Sequence, residues 1–355
     1  MRWLTVALWV CAGLVMGLTL QAQPLPDNWQ DWDDSRKEEL FLERLAVKKQ
    51  AGYEILYAEA IFDTWKNGPP AGSRRGFTGG LNGALKQLES SFPNRVPLSK
   101  LSPAPNEIKL VQKIPPRNES EVGLTAHNIV YLSDGLKVRG LLVKPKGDGP
   151  FPLIVYNHGG GPNGLWEQNR RRLYEWAQLG YVCIGSSYRG TIGPAGESEG
   201  ELSVWNKEVN DVIRLTELAK QLPYVDPTRI GMQGGSRGAG LSLNLITKYG
   251  DFTCLVTMYP AAAIDPENSE RPQPIYSDVA AIRSDLPLLI ISGRNDPMAL
   301  FKYVKQYMDR LDSIGKSYQK IIYDGYGHGS GNPKTDAEAD MHIQQFFAKW
   351  LKPSQ

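Results

Sequence analysis

The chain has 355 residues, 41% hydrophobic and 22% charged, which is a globular composition and excludes a disordered, collagen-like or polytopic membrane chain. Its 40 Lys and Arg against 38 Asp and Glu leave a formal charge of +2 with no block of like charge. Nucleic acid is therefore not the expected partner, because phosphate binding wants a concentrated basic face, and three cysteines are too few for a disulfide scaffold.

In chain order, the first segment reads as a secretory signal. Arg2 supplies a positive start, residues 4–20 are apolar apart from two threonines, and Leu20-Gln21-Ala22-Gln23 offers cleavage after Ala22. Residues 1–22 are thus expected to be removed from an exported protein, periplasmic or secreted. The alternative is an uncleaved membrane anchor, since the apolar run is at the short limit for a spanning helix. Residues 23–120 read as a helical N-terminal extension. Residues 27–66 are rich in helix formers such as Glu38, Leu40, Leu42, Glu43 and Leu45, and predict one or two helices ended by Asn67-Gly68-Pro69-Pro70. The Gly-rich residues 76–83 lack the Lys-Ser/Thr of a phosphate loop and follow no strand, so they predict a surface loop. A short helix and then coil punctuated by Pro97, Pro103, Pro105, Pro115 and Pro116 lead to a boundary near residue 120.

Residues 121–355 change pattern. HNIVYL and KVRGLLVKP predict two strands across a Ser133-Asp134-Gly135 turn, and FPLIVYNHGGG is an apolar strand running into glycines. A helix near 165–178, the strand YVCIGSSY, a helix near 202–221, the strand RIGMQ and the helix AGLSLNLITKY follow. The strands CLVTMYP and LPLLIISG, the helix FKYVKQYMDRLDSIG and the strand YQKIIYDG come next. A last helix places Ile343, Phe346, Phe347, Trp350 and Leu351 on one stripe. Alternating strands and helices predict a mostly parallel sheet with helices on both faces, with chemistry at the carboxyl ends of the strands. Cys183 and Cys254 sit inside strand-like runs and read as small buried hydrophobes rather than a disulfide pair.

The pattern G-x-S-x-G occurs twice, around Ser198 and Ser236. Ser198 lies between two glutamates, whose charge opposes an alkoxide, and no apolar strand leads into it. Ser236 follows the strand Ile230-Gly231-Met232 and opens a helix, the setting of a nucleophile elbow. The helix N-terminus adds partial positive charge where an oxyanion develops.

A nucleophilic serine needs a base, and only His127, His158, His328 and His342 are available. In this chain order the base comes last, which leaves His328 and His342. His342 lies within the final helix, whereas His328 lies in Tyr326-Gly327-His328-Gly329 directly after a strand, so His328 is the candidate base. The acid should lie between them on another strand end. Asp296, in Ser292-Gly293-Arg294-Asn295-Asp296-Pro297, fits; Asp265, Asp285 and Asp324 are its rivals. The run Asn157-His158-Gly159-Gly160-Gly161 follows an early strand and lets backbone N–H groups face a reacting oxygen. Gly159 and Gly160, with the N–H of Arg237, are therefore the candidate oxyanion donors. His158 reads as structural, because it precedes the nucleophile.

The segments VYNHGGGP, SYRG (Tyr188, Arg189, Gly190), YVDPTRIGMQGGSRGAG, SGRNDP and YGHG, in that order, resemble the catalytic domain of the prolyl oligopeptidase family of α/β-hydrolases. The resemblance implies an α/β-hydrolase fold and a serine peptidase that acylates on Ser236, with Asp296 and His328 as partners. It also implies that the stretch from His158 to Gly160 helps form the oxyanion site. Many members of that family carry a β-propeller, for which there is no room here, so residues 23–120 become the candidate cover of the cleft. The expected substrate is a small peptide. A carboxylesterase acting on carbohydrate or other small esters, and a catalytically silent hydrolase fold used for binding, are the alternatives. No Cys/His cluster suggests zinc, and acyl transfer by this route needs no cofactor. Asn118-Glu119-Ser120 matches a glycosylation acceptor.

Overall fold

The computed structural model describes residues 28–352 apart from 51–55, 69–79, 90–97, 117, 161–163, 166, 194–195, 203–206, 262–277 and 330–331. The expected signal segment, Gly161 and the rival acid Asp265 lie outside the described residues.

The N-terminal part contains helices α1 (Asp34–Gln50), α2 (Leu56–Asn67) and α3 (Gly80–Glu89). They enclose a small core of their own, in which Phe41 stacks on Phe62 at 4.4 Å between ring centroids. Helix α3 begins inside the Gly-rich run expected to be a loop. Leu81, Ala84, Leu85 and Leu88 fall at i, i+3, i+4 and i+7 and are buried, and that apolar stripe outweighs the helix cost of Gly80 and Gly83.

The rest is a sheet with flanking helices. Its strands are β1 (Lys109–Ile114), β2 (Leu124–Ser133), β3 (Leu136–Pro145), β4 (Phe151–Asn157), β5 (Val182–Ser186), β8 (Val225–Gly235), β9 (Cys254–Met258), β10 (Leu288–Gly293) and β11 (Gln319–Tyr323). A separate short hairpin holds β6 (Ile192–Gly193) and β7 (Gly196–Glu197). The nine-stranded order is β1-β2-β3-β5-β4-β8-β9-β10-β11. Neighbours from β1 through β3 to β5 pair antiparallel, and β5, β4, β8, β9, β10 and β11 are mutually parallel. The β2–β3 turn uses Asp134 (φ 49°) and Gly135 (φ 80°), the two left-handed positions of a tight hairpin.

Strand β1 falls where Pro-punctuated coil was expected, so the sheet begins ahead of residue 120. Its prolines lie outside the strand, at 103, 105, 115 and 116. As an edge strand it buries little, which leaves no apolar alternation for sequence reading to find.

Helices α4 (Glu167–Gln178) and α8 (Pro333–Leu351) cover one face of the sheet. Helices α5 (Glu208–Ala219), α6 (Arg237–Leu245) and α7 (Phe301–Ser313) cover the other. The central parallel strands are buried on both sides, which is why they read as near-continuous apolar runs. Cys183 on β5 and Cys254 on β9 are free and buried, with β4 and β8 between them. Helix α2 packs against the β6–β7 hairpin, which grows from the carboxyl end of β5. The segment after it is strapped down by Lys137 Nζ donating to the Leu98 carbonyl at 3.1 Å and by Arg214 reaching Asn106 Oδ1 at 2.8 Å.

Candidate active site

Ser236 occupies the single residue between β8 and α6, with φ 53° and ψ −120°, a conformation that side-chain-bearing residues rarely adopt. Its surroundings hold it there. Its N–H donates to the Met258 carbonyl at 2.8 Å, and its own carbonyl accepts from Ala239, Gly240 and Ala261 at 3.0–3.1 Å. The glycine two residues on is required by contact: a Cβ on Gly238 would lie 2.1 Å from the Asn157 oxygen and 2.5 Å from that of His158. Only a bare Cα lets α6 start so close to the end of β4.

Three side chains from separate strand ends form one hydrogen-bonded line. His328 Nε2 lies 2.8 Å from Ser236 Oγ, and its Nδ1 lies 2.8 Å from Asp296 Oδ2. The loop after β10 brings Asp296 in, and the loop after β11 brings His328. The two loops are tied by Asn295 N–H donating to the Tyr326 carbonyl at 2.9 Å and Arg294 N–H to that of Tyr323 at 3.0 Å. The Asp296 side chain is fully buried, and its Oδ1 accepts from the N–H groups of Met298 (2.8 Å) and Ala299 (2.7 Å). A carboxylate has no proton to give, so Nδ1–H donates to it and the lone pair of Nε2 faces the serine hydroxyl. That arrangement can take a proton from Oγ while Asp296 stabilises the imidazolium that results. His328 keeps 19% of its side chain exposed, so the line is open at the serine and imidazole end and closed at the carboxylate.

The rivals stand elsewhere. Asp324 is exposed and pairs with Arg294, and Asp285 is exposed ahead of β10 and pairs with Arg283. His342 lies on α8 with Glu338 at 3.8 Å. Ser198 is buried, with its Oγ accepting from the Arg139 N–H at 3.1 Å, which makes it a tie between β3 and the hairpin. His127 lies on β2, where burial, reinforced by the charge of Lys113, lowers its pKa. His158 is fully buried. Burial pushes its pKa down to about 3, only partly offset by the backbone carbonyls beside it, and the charge of Arg237 works in the same direction as burial. The neutral ring therefore donates Nδ1–H to the Gly159 carbonyl at 2.9 Å.

Of the expected oxyanion donors, Gly159 lies against the serine: a Cβ there would come within 2.9 Å of Ser236 Cβ. Gly160 follows with φ +87°, and Arg237 supplies the first N–H of α6. Sequence reading did not single out Tyr259, whose ring centroid lies 5.9 Å from that of His328 and whose φ is 48°. Its place directly after a central strand was its one signal. Among the described residues no group of three or more His, Cys, Asp or Glu is placed to hold a metal ion.

The model of Peptidase S9, the prolyl oligopeptidase family, matches residues 166–271 and 263–354 of this chain. Acylamino-acid-releasing enzyme 1 of Oryza sativa subsp. japonica is 23% identical over 303 residues, taking in 75% of this chain and 38% of the rice protein. The chain thus spans 38% of that relative's length. Among solved structures, the acylaminoacyl peptidase of Pyrococcus horikoshii is similar with a TM-score of 0.54 at 18% identity, over 66% of this chain and 43% of that one. An esterase of Pyrococcus furiosus is similar with a TM-score of 0.55 at 18% identity, over 69% of this chain and 100% of that one. These likenesses and the mostly parallel sheet show an α/β-hydrolase fold, one that both peptidases and esterases use.

Proposed function

The chain belongs to the prolyl oligopeptidase family, and from that premise we propose that it is a serine peptidase cleaving small peptides through an acyl-enzyme on Ser236. The observation that carries this reading is one imidazole lying 2.8 Å from a serine hydroxyl on one side and 2.8 Å from a buried carboxylate on the other. Ser236 Oγ attacks the scissile carbonyl as His328 Nε2 takes its proton. The carbonyl oxygen becomes an oxyanion facing the N–H groups of Gly159, Gly160 and Arg237. Protonated His328 then gives its proton to the leaving amine, the C–N bond breaks, and water activated by the same imidazole clears the ester.

In the same proposal the N-terminal helices limit the length of peptide that enters, supported by the packing of α2 on the hairpin at the carboxyl end of β5. The segment 1–22 exports the chain to the periplasm or the medium. Peptides longer than the cleft admits should be cut only after residues 28–100 are removed; unchanged length selectivity would end that role.

The test is labelling with a fluorophosphonate, which reacts with an activated serine, in the protein and in Ser236→Ala, followed by parallel assays on aminoacyl amides and aryl esters. Labelling lost in the variant and turnover of amides are the expected results. Absence of labelling in the unaltered protein overturns a catalytic role. Turnover confined to esters overturns the peptide substrate and leaves a carboxylesterase.

A further inference from the structure

The SYRG segment has no part in the chemistry just described, yet its tyrosine is fully buried with φ 60°. Tyr188 follows β5, and its ring stacks on that of His158, with centroids 4.2 Å apart and 18° between planes. Its hydroxyl donates to the His158 carbonyl at 3.2 Å. His158 Nδ1–H holds the next carbonyl, that of Gly159, at 2.9 Å. The carbonyl after that, of Gly160, faces Arg237 Nη1 at 3.5 Å, the outer limit of a hydrogen bond. Three consecutive carbonyls of the glycine loop are thus each drawn toward a buried side chain. Among the described residues neither the Gly159 nor the Gly160 N–H meets an acceptor.

The supports of those side chains converge on one turn of helix. Arg237 Cζ lies 5.2 Å from the Tyr188 ring centroid, and its Nη2 pairs with Glu208 at 3.1 Å. Arg189, next to Tyr188, pairs with Asp211 at 2.6 Å and with Asp134 at 2.8 Å. Glu208 and Asp211 are the first and fourth residues of α5, so one face of its first turn, where negative charge is favoured, holds both arginines.

We propose that Tyr188, with His158 and Arg237, positions the oxyanion loop: by fastening its carbonyls on the buried side, these residues hold its N–H groups toward the reacting oxygen above Ser236. The His158 and Gly159 carbonyls share planar, trans peptide units with the Gly159 and Gly160 N–H groups, so fixing those two carbonyls fixes those two donors, while Arg237 steadies the carbonyl that ends Gly160. Donors held in place before reaction favour the tetrahedral state over the planar substrate, since they do not have to be ordered at the barrier. Tyr188 and the Arg237 side chain are positioning residues, touching the loop and not the substrate.

The inference rests on the reading of Ser236 as an acylated nucleophile, and its test keeps the two apart. The full chain is assayed with an aryl ester or aminoacyl amide that it turns over, and inhibition by phenylboronic acid, which adds to a serine as a tetrahedral adduct, is measured alongside. Tyr188→Phe keeps the stacked ring and removes one hydroxyl. It should lower kcat about tenfold and weaken phenylboronic acid by the same factor while KM stays near the unaltered value, a fraction of the loss seen when an oxyanion donor is deleted outright. Arg237→Lys keeps the charge opposite Glu208 and the backbone N–H but loses the reach to Gly160, and should show the same parallel loss. Melting temperatures report whether each variant folds. Unchanged kcat and boronate affinity in both folded variants overturns the proposal, as does a change confined to KM, or a loss of kcat with boronate affinity intact. No turnover or boronate binding in the unaltered chain instead overturns the reading of Ser236.

Discussion

Replacing Asp296 by Asn tests the hydrogen-bonded line at its most constrained point. The two side chains have the same shape, so the change adds an N–H donor and removes the negative charge without altering the packing. Asp296 Oδ1 accepts from the N–H groups of Met298 and Ala299 at 2.8 and 2.7 Å, inside a fully buried site. An asparagine that keeps its oxygen there must turn its NH2 toward His328 Nδ1. The ring nitrogen then has to accept, and its proton moves to Nε2, where it faces Ser236 and blocks the base. Turning the amide over restores the tautomer but points NH2 at two backbone N–H donors and leaves both unpaired. At about 1–3 kcal/mol for each unpaired buried group, that flip costs roughly 2–6 kcal/mol. The wrong tautomer therefore dominates, and the imidazolium loses its counter-charge in addition. The expected fall in kcat is on the order of 10⁴-fold, about 5.5 kcal/mol in the barrier. The assay is turnover of an aryl ester at neutral pH, with the melting temperature measured in parallel to show that the fold is kept. A folded variant within about tenfold of the unaltered kcat would refute the reasoning, because even a flip costing about 2 kcal/mol leaves only about one molecule in thirty with the correct tautomer.

Further outcomes follow from the same geometry. Ser236→Ala should lower kcat by roughly 10⁴-fold or more and leave a fluorophosphonate nothing to react with, read by intact mass. Gly238→Val should destabilise the fold by at least the roughly 1–3 kcal/mol of an overpacked core, because the Asn157 and His158 carbonyls already fill that space, read as a lower urea midpoint. Asp211→Asn takes from buried Arg189 its buried counter-charge and leaves it only the half-exposed Asp134, and should destabilise the fold by up to about 3–5 kcal/mol in urea unfolding. His158 makes the fold acid-sensitive. Its pKa falls from an ordinary 6.5 to about 3 on folding, so the unfolded chain takes up the proton first and stability is lost as pH falls through that window. The loss is about 1.4 kcal/mol per pH unit and roughly 4–5 kcal/mol by pH 3, and His158→Gln should flatten the curve by that amount relative to the unaltered chain; parallel curves would count against it.

The fold was legible where burial imposes a pattern. The central strands are covered on both faces and appear as apolar runs, and Ser236 and Asp296 could be located because each lies just past such a strand, while His328 was marked by its glycine loop after the short apolar stretch Ile321-Ile322-Tyr323 at the end of edge strand β11. What escaped has a physical reason in each case. Strand β1 lies at the edge with an exposed face, so neither alternation nor an apolar run marks it. Helix α3 hides its buried stripe behind glycines. The fastening of the glycine loop was not readable because it joins β5, α5 and α6, and no spacing in the sequence tells that Tyr188 stacks on His158. Its one trace was the SYRG run, which stood out as a motif without a role.

Backbone strain gathers at this same edge of the sheet. Tyr188, Ser236 and Tyr259 all have positive φ, at 60°, 53° and 48°, and each lies just beyond the carboxyl end of a strand, on β5, β8 and β9. At about 1–3 kcal/mol apiece, the three together cost roughly 3–9 kcal/mol, which is as large as the whole net stability of many domains. They persist because hydrogen bonding continues where the regular strands stop. Ser236 N–H reaches the Met258 carbonyl and Tyr259 N–H the Ile291 carbonyl, each on the neighbouring strand, while Tyr188 N–H is taken by Ser186 Oγ. The sheet therefore sets both the positions of the reacting groups and the unusual backbone angles that expose them. Loosening β9 should accordingly disturb Ser236 before it disturbs the helices, because the bond that holds the serine N–H belongs to the last residue of that strand.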